Sequence, residues 1–188
     1  MKKICVITGS RSEYGLLYYL LKALKLQKNI ELLIVVTGSH LSKKYGSTYK
    51  NIEQDGFQIN YKIKILGKRD DADSISKSTA LGLLSFSKVF KTSKPDLIII
   101  LGDRYEMLAA SIAALYSNVH IAHIHGGEVT EGSIDDSIRH SITKMSSIHF
   151  TANKKYRDRV IQLGEHPSRV FNVGGLGVDA IKKTKIYS

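Results

Sequence analysis

Three things are scarce in this sequence: cysteine, long apolar runs and carboxylates. Of 188 residues one is cysteine, Cys5, and a lone thiol has neither a disulfide partner nor the company needed for a metal cluster. It sits inside an apolar run expected to be a buried strand, which fits a reducing, cytoplasmic setting. No apolar stretch approaches the ~20 residues of a membrane-spanning helix. Met1 to Lys3 lead straight into the short run Ile4 to Gly9, too brief for the apolar core of a secretory signal. Membrane and export functions are therefore not expected. Acidic residues number 17 against 28 Lys and Arg, a formal charge of +11, which directs attention to an anionic partner such as a nucleotide, a phosphate or nucleic acid. Nucleic acid is disfavoured, because lysines such as Lys22, Lys43, Lys62, Lys88, Lys154 and Lys182 are scattered without a basic-aromatic stripe. A solvated basic surface is the plainer reading of the same charge.

With 43% hydrophobic side chains the chain can bury a core, most simply as one domain. Short apolar runs alternate with longer amphipathic stretches, the pattern of β-α units whose strands are covered on both faces. Ile4 to Thr8, Leu32 to Thr37, Leu97 to Leu101 and His120 to Ile124 read as strands; Ile59 to Ile65, Ile148 to Thr151 and Val170 to Val173 are weaker candidates. Apolar residues at three- and four-residue spacing predict helices over Tyr14 to Lys28, Ser74 to Lys91, Tyr105 to Tyr116, Ile134 to Met145 and Lys154 to Leu163. Pro95 should end the second, Asp96 should open the next strand, and Asn153 and Asp103 are the expected N-caps. The expected fold is α/β: a Rossmann-like, mostly parallel sheet with helices on both faces, binding its ligand beyond the carboxyl ends of the strands.

The strand ends are where the chemistry gathers. They read T-G-S-R-S-E-Y-G, T-G-S-H-L, G-D-R-Y-E and H-I-H-G-G-E. A structural sheet also ends in polar turns, yet four ends in succession combine glycine with Arg, His, Asp or Glu. Gly9 to Gly15 opens a helix, whose free N–H groups and dipole favour an anion, with Arg11 as a charged donor. A tight strand-to-helix turn is the alternative, since neither common nucleotide-loop spacing is present. Asp103 suits proton transfer or capping, and Arg104 suits contact with substrate. His123, His125, Glu128, Asp135, Asp136, Arg139 and His140 are dense enough to tune one another's pKa values, and one of the two strand-end histidines is expected to be a core residue. No metal is expected, because no H-x-x-x-H pair shares a helix face with a third ligand.

These motifs, with Y-G-x-T-Y-K-N-I-E-Q-D-G-F from Tyr45, the string from His123 to Ser146 and N-V-G-G-L-G-V-D-A from Asn172, resemble the hydrolysing UDP-N-acetylglucosamine 2-epimerases along essentially the whole chain. The resemblance implies the N-terminal half of a two-domain GT-B-type fold, residues 1–188 forming its first Rossmann-like domain. A second nucleotide-binding domain is expected to follow, and this chain alone is expected not to turn over. The implied reaction converts UDP-N-acetylglucosamine to N-acetylmannosamine plus UDP through a 2-acetamidoglycal, without a cofactor, for synthesis of sialic-acid-type sugars. Carried over by position, Asp103 and Asp135 lead as acid and base, with Arg104 and Asp136 positioning the sugar. Arg11 contacts the diphosphate, while Glu13, His40 and Arg139 complete the substrate-binding set. His125 stands where many relatives carry a catalytic Glu, so His125 or Glu128 takes that role, or the substrate differs: a UDP-2,4-diacetamido-6-deoxy sugar on the way to legionaminic acid. A GT-B glycosyltransferase domain and a nucleotide-sugar-sensing domain are the other classes. A UDP-sugar and a second copy of the chain are the expected partners.

Overall fold

The computed structural model describes residues 1–67, 69 and 71–183; the remainder of the span read above as one domain lies outside the described residues. Among the described residues seven strands form one sheet: β1 (Lys2–Thr8), β2 (Ile30–Val36), β3 (Tyr61–Lys62), β4 (Leu97–Leu101), β5 (His120–Ile124), β6 (Ile148–Thr151) and β7 (Val170–Asn172). The helices are α1 (Arg11–Lys25), α2 (Tyr49–Gln54), α3 (Ala72–Ser93), α4 (Tyr105–Tyr116), α5 (Ile134–Met145), α6 (Lys154–Gln162) and α7 (Leu176–Lys183). Every pairing is parallel, in the order β3-β2-β1-β4-β5-β6-β7. The chain winds outward from β1 to β3 and then returns to the other side of β1. This reversal leaves a crevice between the carboxyl ends of β1 and β4, where doubly wound sheets bind ligands.

Strands covered on both faces explain why the apolar runs are continuous. Cys5, Ile7, Val35, Ile98, Ile100 and Ile121 pack on one side against Phe86 and Phe90 of α3, Met107 and Ala110 of α4 and Ile142 of α5. Their sequence neighbours Val6, Ile34, Val36, Ile99, Leu101 and Ala122 pack on the other side against Tyr14, Leu17 and Leu21 of α1 and Ile52 of α2. Each fully buried Leu, Ile or Phe stabilises by about 1.5–3 kcal/mol, so the two layers hold the strand tips rigid. Among the described residues, no helix is long and apolar enough to cross a membrane.

β4, β5, β6, α4 and α5 fall where the apolar periodicity predicts. Asn153 caps α6 as expected, its Oδ1 accepting from Tyr156 N–H at 3.0 Å. α3 stops at Ser93 with Lys94 left-handed, φ 48°, and Pro95 follows; Asp96 then accepts from Lys3 N–H at 2.7 Å at the mouth of β4. Three expectations are corrected. α1 begins at Arg11, three residues before Tyr14, because Ser10 Oγ accepts from Glu13 N–H and starts the helix early. β3 shrinks to two residues, because Asn60 Oδ1 takes Ile34 N–H at 2.8 Å and substitutes for a ladder bond at this sheet edge. Asp103 is not an N-cap: Arg104 holds that position on α4 without a side-chain cap bond, and Asp103 is engaged elsewhere. α2 and α7 lie outside the helices that periodicity had predicted.

Candidate functional site

The β1/β4 crevice holds a cleft of about 250 Å³. Ser10, Ser12, Glu13 and Leu16 line it from the β1 end and α1, while Gly102, Asp103 and Arg104 follow β4. His125 and Glu128 follow β5, and Arg139 reaches in from α5. A larger cleft, about 400 Å³, opens at the ends of β2 and β3 beside Lys44, Tyr45 and Lys64. No carboxylate or imidazole is among its lining residues, whereas the smaller one is lined by Glu13, Asp103, His125 and Glu128.

Asp103 and Arg139 form an ion pair between the β4 tip and α5. Arg139 is 6% exposed; the nitrogen that meets Asp103 also donates to Thr130 Oγ1 at 3.1 Å, and Nη1 lies 3.8 Å from Asp136. Burial pushes the Asp103 carboxyl above its usual range, opposed by Arg139 and reinforced by the charge of Asp135. Asp135 is thus within electrostatic reach of Asp103, although it is not part of the cleft lining. Asp136 accepts from Thr130 N–H at 3.1 Å and lies 3.5 Å from His140 Nε2, in the same network around Arg139.

His125 follows β5 with φ at +65°, a left-handed conformation that costs a non-glycine residue about 1–2 kcal/mol. Its N–H donates to the Phe150 carbonyl at 2.9 Å, which holds the turn. Nδ1 lies 3.2 Å from Glu128 Oε1, whereas Nε2 is buried without a hydrogen-bond partner among the described residues. A carboxylate at Nδ1 selects the Nδ1–H tautomer and leaves the Nε2 lone pair unused. Burial holds the ring pKa below the ordinary imidazole value; Glu128 and Asp103 oppose this and Arg139 adds to it. A neutral imidazole with one ring nitrogen oriented by a carboxylate and the other unpaired is equipped to take a proton.

His123 is the core histidine of the pair. It is fully buried, its Nε2–H donates to the Gly102 carbonyl at 2.8 Å, and Nδ1 lies 3.2 Å from Thr143 Oγ1. Burial drives its pKa down to about 3. The effect is to fix the turn that carries Asp103.

The first loop is only half the anion cradle expected. Gly9 N–H donates to Glu13 Oε2 at 2.7 Å, and Glu13 N–H to Ser10 Oγ at 3.4 Å. The N–H groups of Arg11 and Ser12, which have no intrahelical partner, remain for a ligand. The Arg11 side chain is exposed between two lining residues and is not itself in the lining. His40 is wholly buried one strand over, with Nε2 3.1 Å from Thr8 Oγ1 and Nδ1 2.8 Å from Thr48 Oγ1. Its ring therefore ties the β1 tip, at Thr8, to Thr48 at the head of α2. Among the described residues, no group of three His, Cys, Asp or Glu side chains is placed to hold a metal ion.

Sequence reasoning missed Glu106. It belongs to the G-D-R-Y-E motif, but an acidic residue in the first turn of a helix has a plain electrostatic explanation. Here it is fully buried, and Arg104 grips it with Nε to Oε2 at 3.1 Å and Nη2 to Oε1 at 3.0 Å. Arg104 Nε also lies 3.7 Å from Glu13 Oε1.

Fold and site together define a Rossmann-like α/β domain of the GT-B type with carboxylate, imidazole and guanidinium groups at its topological switch point. A solved UDP-GlcNAc 2-epimerase from Neisseria meningitidis bound to UDP-GlcNAc shares the fold, with a TM-score of 0.84 at 20% identity over 97% of this chain and 49% of that one. Residues 22–187 match the UDP-N-acetylglucosamine 2-epimerase family, and the chain belongs to it. It is 46% identical over 181 residues to a GDP/UDP-N,N'-diacetylbacillosamine 2-epimerase (hydrolyzing) of Campylobacter jejuni, covering 96% of this chain and 47% of that protein. It is 45% identical over 179 residues to polysialic acid biosynthesis protein P7 of Escherichia coli, covering 95% of this chain and 46% of the relative. The chain thus spans about half the length of the curated relatives it matches.

Proposed function

We propose that the full-length protein is a hydrolysing 2-epimerase of an N-acetylated UDP-hexosamine, and that the domain described here supplies the acid-base half of its site. A second nucleotide-binding domain would close the cleft, in keeping with relatives about twice as long. The observation that carries the reading is His125: its Nδ1 lies 3.2 Å from Glu128 Oε1 and its Nε2 is buried without a hydrogen bond among the described residues, in a cleft it shares with Asp103 and Arg104.

Nε2 of His125 takes the proton from C2 of the sugar while the C1–O bond breaks and its electron pair leaves with UDP, forming a 2-acetamidoglycal. Arg11 and the first-turn N–H groups of α1 stabilise the departing diphosphate. Water then adds across the double bond, hydroxyl to C1 and a proton to C2 from the opposite face. Asp103, its carboxyl raised by burial and by the charge of Asp135, is the donor for that return step and regains its proton from the attacking water, with Asp135 beside it as the other carboxylate of the pair. Arg104, Asp136 and Glu13 hold the sugar, and Arg139 orients Asp103.

UDP-N-acetylglucosamine is the first substrate to test. The UDP-2,4-diacetamido-6-deoxy sugar is the second, favoured by the name of the 46% identical relative. Turnover in D2O should place deuterium at C2 of the released sugar, and NMR of that product identifies the substrate. Released sugar without label would reject the epimerase in favour of a glycosyltransferase or plain hydrolase. His125→Gln should lower kcat at least ~10²-fold; near wild-type turnover would remove His125 as the base. Light scattering tests the homodimer proposed for the intact enzyme.

A further inference from the structure

Glu106 has no place in the reaction just described, yet its carboxylate is completely buried at the β1/β4 crevice. A buried carboxylate persists only when it is paired, and the whole surrounding structure makes room for this pair. A Cβ added at Gly38, where φ is +55°, would come within 2.6 Å of Glu106 Oε1, and one at Gly9 would sit 3.6 Å from it. The partner is Arg104, held by the two-point fork that fixes a guanidinium plane. Although so held, the Arg104 side chain keeps 43% of its surface exposed and lines the cleft. Nε and Nη2 are committed to Glu106, while Nη1 makes no hydrogen bond among the described residues. Beside it, the buried Glu13 Oε1, 3.7 Å from Arg104 Nε, also has no hydrogen bond among the described residues.

Arg104 Nη1 and Glu13 Oε1, the latter 3.7 Å from Nε of the same guanidinium, each lack a hydrogen bond among the described residues, and together they complement a hydroxyl group, which accepts one hydrogen bond and donates another. We propose that Glu106 is a positioning residue that aims Arg104, so that Arg104 Nη1 and Glu13 Oε1 together read one hydroxyl of the sugar. This rests on the epimerase reading above and adds the division of labour at its sugar end. Glu106 never meets substrate. Its removal is therefore felt through sugar binding and not through the nucleotide or the chemical step.

The test uses the full-length enzyme with UDP-N-acetylglucosamine and with UDP alone. Glu106→Gln keeps the shape and loses the charged fork; it should raise KM about tenfold or more, leave kcat within about threefold and leave the affinity for UDP unchanged. Combined with Arg104→Lys it should add nothing, because both changes remove the same aimed donor. An unchanged KM, an equal loss of UDP affinity, or fully additive effects would each overturn the proposal. Should Glu106→Gln fail to fold, Arg104→Lys carries the test, since it keeps the buried charge neutralised while deleting Nη1; wild-type KM in that variant is then the refuting result. Failure of the parent reading looks different: wild-type enzyme that releases no sugar. The same comparison is then made by calorimetry, UDP-N-acetylglucosamine against UDP.

Discussion

Replacing Glu13 by Gln should make the protein more stable at pH 8 while leaving it nearly unchanged in mild acid. Burial, reinforced by the nearby charge of Glu106, pushes the Glu13 carboxyl from 4.5 to about 7, against the opposing pull of Gly9 N–H, Arg104 and Ser10. In the folded chain the group keeps its proton up to about pH 7, whereas in the unfolded chain it releases it near 4.5. Folding therefore takes up a proton between those values, and stability falls as pH rises through the window, levelling off above about 7. At 1.36 kcal/mol per pH unit the full effect is about 3 kcal/mol. Glutamine is neutral at every pH and its Oε1 can still accept from Gly9 N–H, so the variant escapes the loss. Urea unfolding of both proteins at pH 5, 6, 7 and 8 gives the difference directly. His40 and His123, pushed down to about 4 and about 3 by burial, contribute stability that is lost as pH falls below the imidazole range. They do so in both proteins and cancel. A stability difference that is the same at pH 5 and pH 8, or a variant weaker than wild type at pH 8, would refute the argument.

Two further changes probe the same scaffold. Arg139→Met leaves Asp103 beside Asp135 without its cation and should cost about 3–5 kcal/mol in denaturant unfolding, part of which Asp103→Asn in the same chain should restore; a loss below about 1 kcal/mol would mean the pair is solvated. Gly38→Ala must place a Cβ 2.6 Å from Glu106 Oε1 at a φ of +55° and should cost about 2 kcal/mol or more. An unchanged melting temperature would show that the Glu106 pocket is looser than described.

The sheet, its parallel sense and most of its helices were written locally in the chain. Apolar runs the length of a strand, amphipathic stretches at helical spacing and the caps around them are short-range signals, so β4, β5, β6, α4 and α5 could be delimited from sequence alone. The loops that bear the chemistry were legible for a related reason: a doubly wound sheet brings its strand ends to one edge wherever the intervening helices sit. What each polar side chain does there was not legible, because its partner is remote in sequence. Asp103 looks like a cap until Arg139, 36 residues away, claims it, and nothing in the sequence near His40 shows that its ring meets Thr8, 32 residues back. Glu106 looks like an ordinary first-turn acid, and only the packing of Gly9 and Gly38 around it reveals a carboxylate that must hold an arginine. Local patterning fixes which residues reach the crevice; the competition among buried charges for too few partners, settled only in three dimensions, fixes which of them remain free to act.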